Sequence, residues 1–164
     1  MEKAVFLDRD GVINKEIGKY TCNVNDFIIN EGVGEAIALL KNNGFLIIII
    51  SNQGGIAKKL YDESDLLEMH IKLCQYLEKY NTKVDDFYFC PHHPDFTKCL
   101  CRKPDSLMLE KAIAYHDIDI NYSYLIGDSN RDIEAAKKIG LKSFKIEANE
   151  NIIKLCESII NNNG

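Results

Sequence analysis

Residues 3–14 have the sequence Lys-Ala-Val-Phe-Leu-Asp-Arg-Asp-Gly-Val-Ile-Asn, and this stretch decides the fold class. Its first five residues form a short β-type run, which ends at the acidic residues Asp8 and Asp10. Gly11 then lets the backbone turn sharply, so that both carboxylates can face one site. Polar residues directly after a strand predict a binding site, because open parallel sheets bind ligands beyond the carboxyl ends of their strands.

The rest of the chain repeats this pattern of short β-type runs, separated by helical patterns. Strands are predicted at residues 3–7, 45–50, 86–89, 124–126 and 143–146, and helices at residues 32–42, 62–79, 106–115, 132–139 and 151–160. Such alternation is typical of βαβ units. We therefore predict an α/β fold, a Rossmann-like three-layer sandwich with a central parallel sheet, followed by a frayed polar tail at residues 161–164.

Length and composition limit the possible architectures and partners. With 164 residues and a hydrophobic content of 46%, the chain fits a single domain over residues 1–164. The net charge of -5, without a long basic run, argues against nucleic-acid binding. The longest apolar stretch, at residues 45–50, is too short to cross a bilayer, and the N-terminus does not have the pattern of a secretory signal. We therefore expect a cytoplasmic protein without a membrane partner.

The polar residues after the predicted strands supply the groups that phosphate-ester hydrolysis requires. Asp8 can attack phosphorus, and Asp10 can donate a proton to the leaving oxygen and later activate water. A Mg²⁺ ion, which prefers oxygen ligands, would relieve the repulsion between Asp8 and Asp10 and could also bind Asp128 after the fourth strand. These residues predict a phosphatase that forms an aspartyl phosphate and acts on a small phosphorylated metabolite.

Donors for the phosphoryl oxygens come from two further segments. Ser51, Asn52 and Gln53 follow the second predicted strand and offer hydroxyl, amide and backbone N–H groups. Lys103, which directly follows Arg102, supplies a full positive charge. Because these motifs occur at successive strand ends, we expect them to converge on one phosphate-binding site.

A group of cysteines and histidines occupies residues 90–101. The candidate metal ligands are three cysteines and one of two adjacent histidines, namely Cys90, Cys99, Cys101 and either His92 or His93. Thiolates and an imidazole at this density predict a tetrahedral Zn²⁺ site, and four protein ligands would make the zinc structural. We expect the zinc to hold this long loop in place and thereby to position Arg102 and Lys103.

These motifs resemble those of the haloacid dehalogenase-like (HAD-like) phosphatases, and the resemblance covers nearly the whole chain. Residues 8–14, Ser51, Lys103, and Gly127-Asp128 with Asp132 look like the four motifs of that family. Cys-Pro-His-His-Pro and Cys-Leu-Cys-Arg-Lys-Pro are similar to segments of the branch that contains heptose bisphosphate phosphatases and histidinol-phosphatase domains. The resemblance implies a HAD-like fold in which the first aspartate is the nucleophile and the second is the acid and base.

The resemblance also implies roles for the loops around the site. The implied zinc ligands are Cys90, His92, Cys99 and Cys101, and Arg102 is implied to contribute to substrate recognition. No segment between the motifs is long enough for a separate cap domain, so residues 14–22, residues 53–61 and the zinc-binding loop should provide selectivity. Ser51 stands where this branch more often has threonine, and Ser129 stands where the heptose enzymes usually have lysine.

For the substrate, the resemblance favours D-glycero-D-manno-heptose 1,7-bisphosphate, from which the 7-phosphate would be removed. Histidinol phosphate, or another sugar or amino-alcohol phosphate, is the alternative within hydrolysis. A phosphomutase that reuses the aspartyl phosphate and a catalytically silent, zinc-stabilised binding protein are the alternatives outside it. We expect the protein to be a monomer.

Overall fold

Strands and helices alternate along the chain in the computed structural model, which describes residues 1–162. The strands are β1 (Lys3–Leu7), β2 (Phe45–Asn52), β3 (Asp86–Cys90), β4 (Tyr124–Gly127) and β5 (Lys142–Lys145). The helices are α1 (Val33–Asn42), α2 (Glu63–Glu78), α3 (Leu107–His116), α4 (Asn130–Lys138) and α5 (Ile153–Asn161), with a short 3-10 turn before β4. Within this described part, no helix is both long enough and apolar enough to cross a membrane.

The strands form one parallel sheet in the order β3-β2-β1-β4-β5. β1 lies in the middle, with β2 on one side and β4 on the other. The first three strands therefore run in order from the middle of the sheet to one edge. The chain then returns to the other side of β1, where it forms β4 and β5. Open α/β sheets bind ligands at such a change of direction, so the loops after β1 and β4 flank the expected site. The predicted α/β fold is confirmed.

Helices cover both faces of the sheet. Val5 and Leu7 of β1 pack on the side of α1, α2 and α5, whereas Ala4 and Phe6 pack on the side of α3 and α4. This division follows from the alternation of side chains along a strand. The continuous apolar run at residues 47–50 is explained in the same way, because both faces of β2 are buried. The result is a three-layer sandwich that holds the strand ends in fixed positions.

Several elements begin or end a few residues away from the predicted positions. β2 continues through Asn52, so the first residues after the predicted strand are still part of the sheet. α4 begins at Asn130, because the Ser129 N–H and hydroxyl groups donate to the Asp132 carboxylate and cap the helix. α5 reaches Asn161, so the predicted frayed tail starts as helix, and residues 163–164 of that tail lie outside the described residues.

Candidate active site

The predicted site residues meet in one cavity at the carboxyl edge of the sheet. Asp8 follows β1, Asn52 ends β2 and Asp128 follows β4, so three neighbouring strands deliver them to the same edge. The cavity has a volume of about 460 Å³. Every predicted catalytic or substrate-binding residue except Ser51 lines it. Residues far apart in the sequence are thus assembled around one space.

Lys103 lies in the centre of this site, between two carboxylates. Its Nζ donates to Asp8 Oδ1 at 2.8 Å, to Asp132 Oδ1 at 2.6 Å and to the main-chain oxygen of Ile50 at 2.8 Å. Burial alone would lower the pKa of Lys103, but the charges of Asp8 and Asp132 outweigh burial and raise it. The ammonium group is therefore kept charged and fixed next to Asp8.

A cluster of carboxylates lies beside this ammonium group. Oxygens of Asp8, Asp128 and Asp132 lie within 4.8 Å of one another. Burial raises the pKa of Asp8 to about 8, although Lys103 opposes the rise. Burial and the charge of Asp132 also raise the pKa of Asp128, which is hydrogen-bonded to Asp8. Burial thus disfavours the charged forms of Asp8 and Asp128, and a divalent cation that prefers oxygen ligands fits beside these two carboxylates because it would stabilise their charged forms.

Gly11 permits the close approach between the loop after β1 and Asp128. Its φ of +88° lies in the left-handed region, and a Cβ atom at this position would be 2.0 Å from Asp128 Oδ2. Neither the backbone conformation nor the space suits a residue with a side chain. Glycine is therefore required here if the carboxylates of Asp8 and Asp128 are to face each other.

Four N–H groups hold the Asp10 carboxylate. Arg9 donates from Nε to Oδ2 at 3.2 Å and from Nη2 to Oδ1 at 3.0 Å. Asn14 donates to Oδ1 at 3.0 Å and Gln53 donates to Oδ2 at 3.1 Å. Burial would raise the pKa of Asp10, but the charge of Arg9 and these hydrogen bonds lower it. Asp10 thus lies in the same cavity as Asp8, with its carboxylate outside the carboxylate cluster.

The residues at the end of β2 connect the loops around the cavity. Asn52 donates to the main-chain oxygen of Lys103 at 3.0 Å and accepts from its N–H at 2.9 Å. Gln53 donates to Ser51 Oγ at 2.6 Å and accepts a hydrogen bond from the Tyr61 hydroxyl. Ser51 is buried below this layer and does not line the cavity. Asn52 therefore positions the Lys103 backbone.

The predicted zinc ligands form a compact cluster next to the cavity. The four residues whose donor atoms lie within 4.8 Å of one another are Cys90, His92, Cys99 and Cys101. Cys90 Sγ lies 2.9 Å from Cys101 Sγ and 3.7 Å from Cys99 Sγ, and His92 Nδ1 lies 3.3 Å from Cys101 Sγ. All six cysteines are free. Three thiols and an imidazole this close fit one tetrahedral Zn²⁺ ion, whose bonds to sulfur are about 2.3 Å long.

The structure separates the two histidines that the spacing left open. His92 directs Nδ1 towards the cysteines, whereas His93 lines the cavity. Arg102 Nη1 donates to the main-chain oxygen of His92 at 3.2 Å, and Arg102 and Lys103 directly follow Cys101. The cysteine cluster and the cavity are therefore joined both along the chain and by a hydrogen bond.

Two residues of the site had no role assigned from the sequence. Asp132 is completely buried, and its carboxylate accepts hydrogen bonds from Lys103 and Ser129. Two signals were available: its place in the fourth motif of the resemblance, and its position three residues after a serine that precedes a helix, a spacing typical of a helix cap. Arg9 is 1% exposed and forms a bidentate ion pair with Asp10. No local pattern indicates that direction of the Arg9 side chain.

Comparisons with known proteins agree with this geometry. A family model described as HAD-hydrolase-like matches residues 100–150. A D-glycero-D-manno-heptose-1,7-bisphosphate 7-phosphatase of Chlorobaculum tepidum is 36% identical over 94% of this chain and 83% of its own length. The chain belongs to the HAD-like phosphatases.

Further HAD-like phosphatases extend the comparison. A D-glycero-beta-D-manno-heptose-1,7-bisphosphate 7-phosphatase of Photorhabdus laumondii is 41% identical over 85% of this chain and 78% of its own length. The crystal structure of D,D-heptose 1,7-bisphosphate phosphatase from B. bronchiseptica, complexed with magnesium and phosphate, matches with a TM-score of 0.85 and 31% identity over 94% of this chain and 86% of that chain. The resemblance read from the motifs is confirmed, and this HAD-like phosphatase is a phosphoric monoester hydrolase.

Proposed function

We propose that this HAD-like phosphatase removes the 7-phosphate of D-glycero-D-manno-heptose 1,7-bisphosphate through an aspartyl phosphate formed on Asp8. The observation that carries the proposal is the position of Lys103 Nζ, 2.8 Å from Asp8 Oδ1 and beside the carboxylate cluster. A fixed cation next to the nucleophile offsets the charge of the phosphoryl group during transfer. The names of the relatives from Chlorobaculum tepidum and Photorhabdus laumondii support this choice of substrate.

Mg²⁺ is the cofactor that suits the carboxylate oxygens of the active site. The carboxylates of Asp8 and Asp128 would bind it. The Asp10 carboxylate is not proposed as a ligand, because each of its two oxygens already accepts two hydrogen bonds. Asp132 is not proposed as a ligand, since both of its carboxylate oxygens accept hydrogen bonds. When bound, Mg²⁺ supplies positive charge to the phosphoryl oxygens. The magnesium and phosphate of the B. bronchiseptica relative support this assignment.

The two acids at the end of β1 divide the chemistry between them. In the first step an oxygen of Asp8 attacks phosphorus, the bond from phosphorus to the sugar oxygen breaks, and Asp10 gives that oxygen a proton. In the second step Asp10 takes a proton from water, whose oxygen attacks phosphorus and releases phosphate from Asp8.

In the proposed mechanism, Asp10 becomes protonated when the substrate binds. The lowered pKa of Asp10 keeps its carboxylate ionised in the site without substrate. A bound phosphoryl group brings negative charge close to this carboxylate and favours its protonated form. Substrate binding and the protonation of Asp10 are therefore coupled in the proposed mechanism.

The charge of the cavity wall favours a substrate with two phosphates. Lys19, Arg102 and Arg131 line the cavity, and none of them forms an ion pair with a carboxylate within residues 1–162. Histidinol phosphate carries one phosphate and an ammonium group, which these cations would repel. We therefore favour the heptose bisphosphate over histidinol phosphate as the substrate.

Zinc is proposed as a structural cofactor. Three thiols and His92 Nδ1 would occupy its four coordination positions, which leaves no position for water or substrate. The ion would fix the loop at residues 90–101 and thereby place Arg102 and Lys103 at the cavity. Its effect on catalysis would be indirect.

We also propose that residues 1–164 act as a single domain and as a monomer in the cytoplasm. The cavity brings together every predicted catalytic and substrate-binding residue except Ser51, which supports a site that one chain can complete. The free cysteines are typical of a reducing compartment.

Release of inorganic phosphate from the heptose bisphosphate in the presence of Mg²⁺ tests the proposed function. We expect Asp8→Asn to lower kcat at least about a thousandfold, because an amide cannot attack phosphorus. Asp117→Asn is the matched control, since Asp117 directly follows α3 at the opposite edge of the sheet. Circular dichroism should show that both variants are folded.

Three results would contradict the proposal. Full turnover by Asp8→Asn would exclude Asp8 as the nucleophile. An isomerised sugar phosphate without free phosphate would indicate a phosphomutase. A folded wild-type protein that binds phosphate esters with Mg²⁺ but hydrolyses none of them would indicate a binding protein.

A further inference from the structure

We propose that His93 is a substrate-contacting residue, whose Nε2–H group donates a hydrogen bond to a hydroxyl oxygen of a polyol phosphate. The inference rests on the proposed function and gives His93 a role separate from zinc binding. It assigns a donor on the side of the cavity that is formed by the loop after β3.

His93 is next to a proposed zinc ligand in the sequence but belongs to a different part of the structure. It lines the cavity, and its side chain is 16% exposed. Its ring packs edge-on against Phe96, with ring centroids 6.3 Å apart. Within residues 1–162, the cluster that could bind zinc contains His92 and does not contain His93. His93 is therefore available to a ligand in the cavity while the four zinc ligands remain complete.

The contacts of the His93 ring decide which nitrogen carries a hydrogen. The Asp95 N–H donates to Nδ1 at 3.2 Å, so Nδ1 acts as an acceptor and the proton of the neutral ring is on Nε2. The Asp95 carboxylate lies 3.4 Å from the same Nδ1. In a protonated ring, both nitrogens carry hydrogen and Nε2 is again a donor. In the described part of the chain, no residue accepts a hydrogen bond from His93 Nε2.

Gly54 brings a second donor next to this ring. A Cβ atom at Gly54 would lie 3.1 Å from His93 Cδ2 and 3.0 Å from Arg102 Nη1. Since Cδ2 is bonded to Nε2, the donor edge of His93 and the Arg102 guanidinium approach the same glycine, which also lines the cavity. Two donors on one side of the cavity suit an oxygen-rich ligand, because hydroxyl and phosphate oxygens accept hydrogen bonds.

Two substitutions at His93 separate a role in substrate binding from a structural role. His93→Leu removes the donor and keeps apolar bulk, whereas His93→Gln keeps an N–H donor at a similar reach. For the heptose bisphosphate, we expect His93→Leu to raise KM about 3- to 10-fold with little change in kcat, as the loss of one hydrogen bond predicts. His93→Gln should recover most of the wild-type KM.

Two controls use the same proteins. p-Nitrophenyl phosphate lacks the hydroxyl groups, so its KM should change less than about twofold in His93→Leu. Zinc content should stay at one ion per chain in both His93 variants and should fall in His92→Gln. If the wild-type protein does not hydrolyse the heptose bisphosphate, the substrate proposal fails, and the His93 variants are compared with the polyol phosphate that the wild-type protein hydrolyses best.

Three results would overturn the role of His93. Loss of zinc from His93→Leu would make His93 part of the metal site. Equal losses with the polyol phosphate and with p-nitrophenyl phosphate would indicate a general structural effect. Unchanged KM and kcat for the polyol phosphate in His93→Leu would show that no hydrogen bond to substrate is made.

Discussion

At the scale of single residues, burial and hydrogen bonding decide which side chains carry charge. Asp10 and Asp8 are two residues apart, yet the pKa of Asp10 is lowered by Arg9 and by amide donors, whereas burial raises the pKa of Asp8. His70 shows burial without compensation. Its ring stacks on Phe87 with ring centroids 4.1 Å apart, and within residues 1–162 its buried Nε2 has no hydrogen-bond partner.

The titration of His70 should be visible in the pH dependence of stability. Burial lowers the pKa of His70 from 6.5 to about 4. Between these two pH values the unfolded chain binds a proton that the folded protein does not bind, so the free energy of unfolding should fall as the pH falls from about 6.5 to 4. The loss attributable to this group is at most about 3 kcal/mol.

His70→Phe is the variant that isolates this effect, because phenylalanine can stack on Phe87 without titrating. Urea unfolding at several pH values between 7 and 4 would measure it. We expect the difference in unfolding free energy between variant and wild type to shift in favour of the variant as the pH falls. A difference that is constant over this range would contradict the buried, neutral state of His70.

At the scale of structural elements, the segment between β3 and α3 differs from the other connections. It is long, has little regular secondary structure and exposes the large apolar side chains of Phe96 and Leu100. Few apolar side chains of this loop are buried, so packing alone contributes little to its order. The four donor atoms that gather near Cys90 are the feature that would fix it once zinc is bound.

Cys99→Ser tests the link between this loop and the active site. Zinc binding in small peptides is worth about 10–16 kcal/mol, similar to the stability of a whole domain, so loss of the ion should disorder the loop. We expect zinc content to fall and kcat/KM to fall at least about 10-fold, because Arg102 and Lys103 lose their support. Cys74→Ser, at an exposed position on α2, is the control. Wild-type activity in a zinc-free Cys99→Ser protein would refute the link.

At the scale of the whole molecule, ligand binding should connect the two halves of the sheet. β1, β2 and β3 lie on one side of the change of chain direction, and β4 and β5 lie on the other. Asp8 belongs to the first half and Asp128 to the second, and β1 pairs directly with β4. A cation between these carboxylates would be bound by both halves in the folded state and lost on unfolding.

Mg²⁺ and inorganic phosphate should therefore stabilise the folded protein together. At about 100 times its Kd, a ligand of the folded state adds roughly 2.7 kcal/mol, which corresponds to a rise in Tm of about 5–10 °C for a chain of this size. Differential scanning fluorimetry with each ligand alone and with both would measure the rise. Asp128→Asn should remove most of the magnesium-dependent part, and an unchanged shift in this variant would contradict the proposed ligand.

The sequence by itself determined the fold class and the family. The alternation of strands and helices and the short motifs at strand ends are local patterns, so they can be recognised without knowledge of the tertiary packing. Local patterns did not determine the element boundaries, because caps such as the contact between Ser129 and Asp132 depend on side-chain geometry.

Only the tertiary structure decided which side chains meet. Asp132, rather than the carboxylate of Asp10, joins Asp8 and Asp128, and His92, which the resemblance implied but the spacing did not separate from His93, joins the cysteines. The reason is physical: neighbouring residues have similar sequence signals, but their side chains point in different directions. Those directions are set by segments that are distant in the chain and that only the packed sheet brings together.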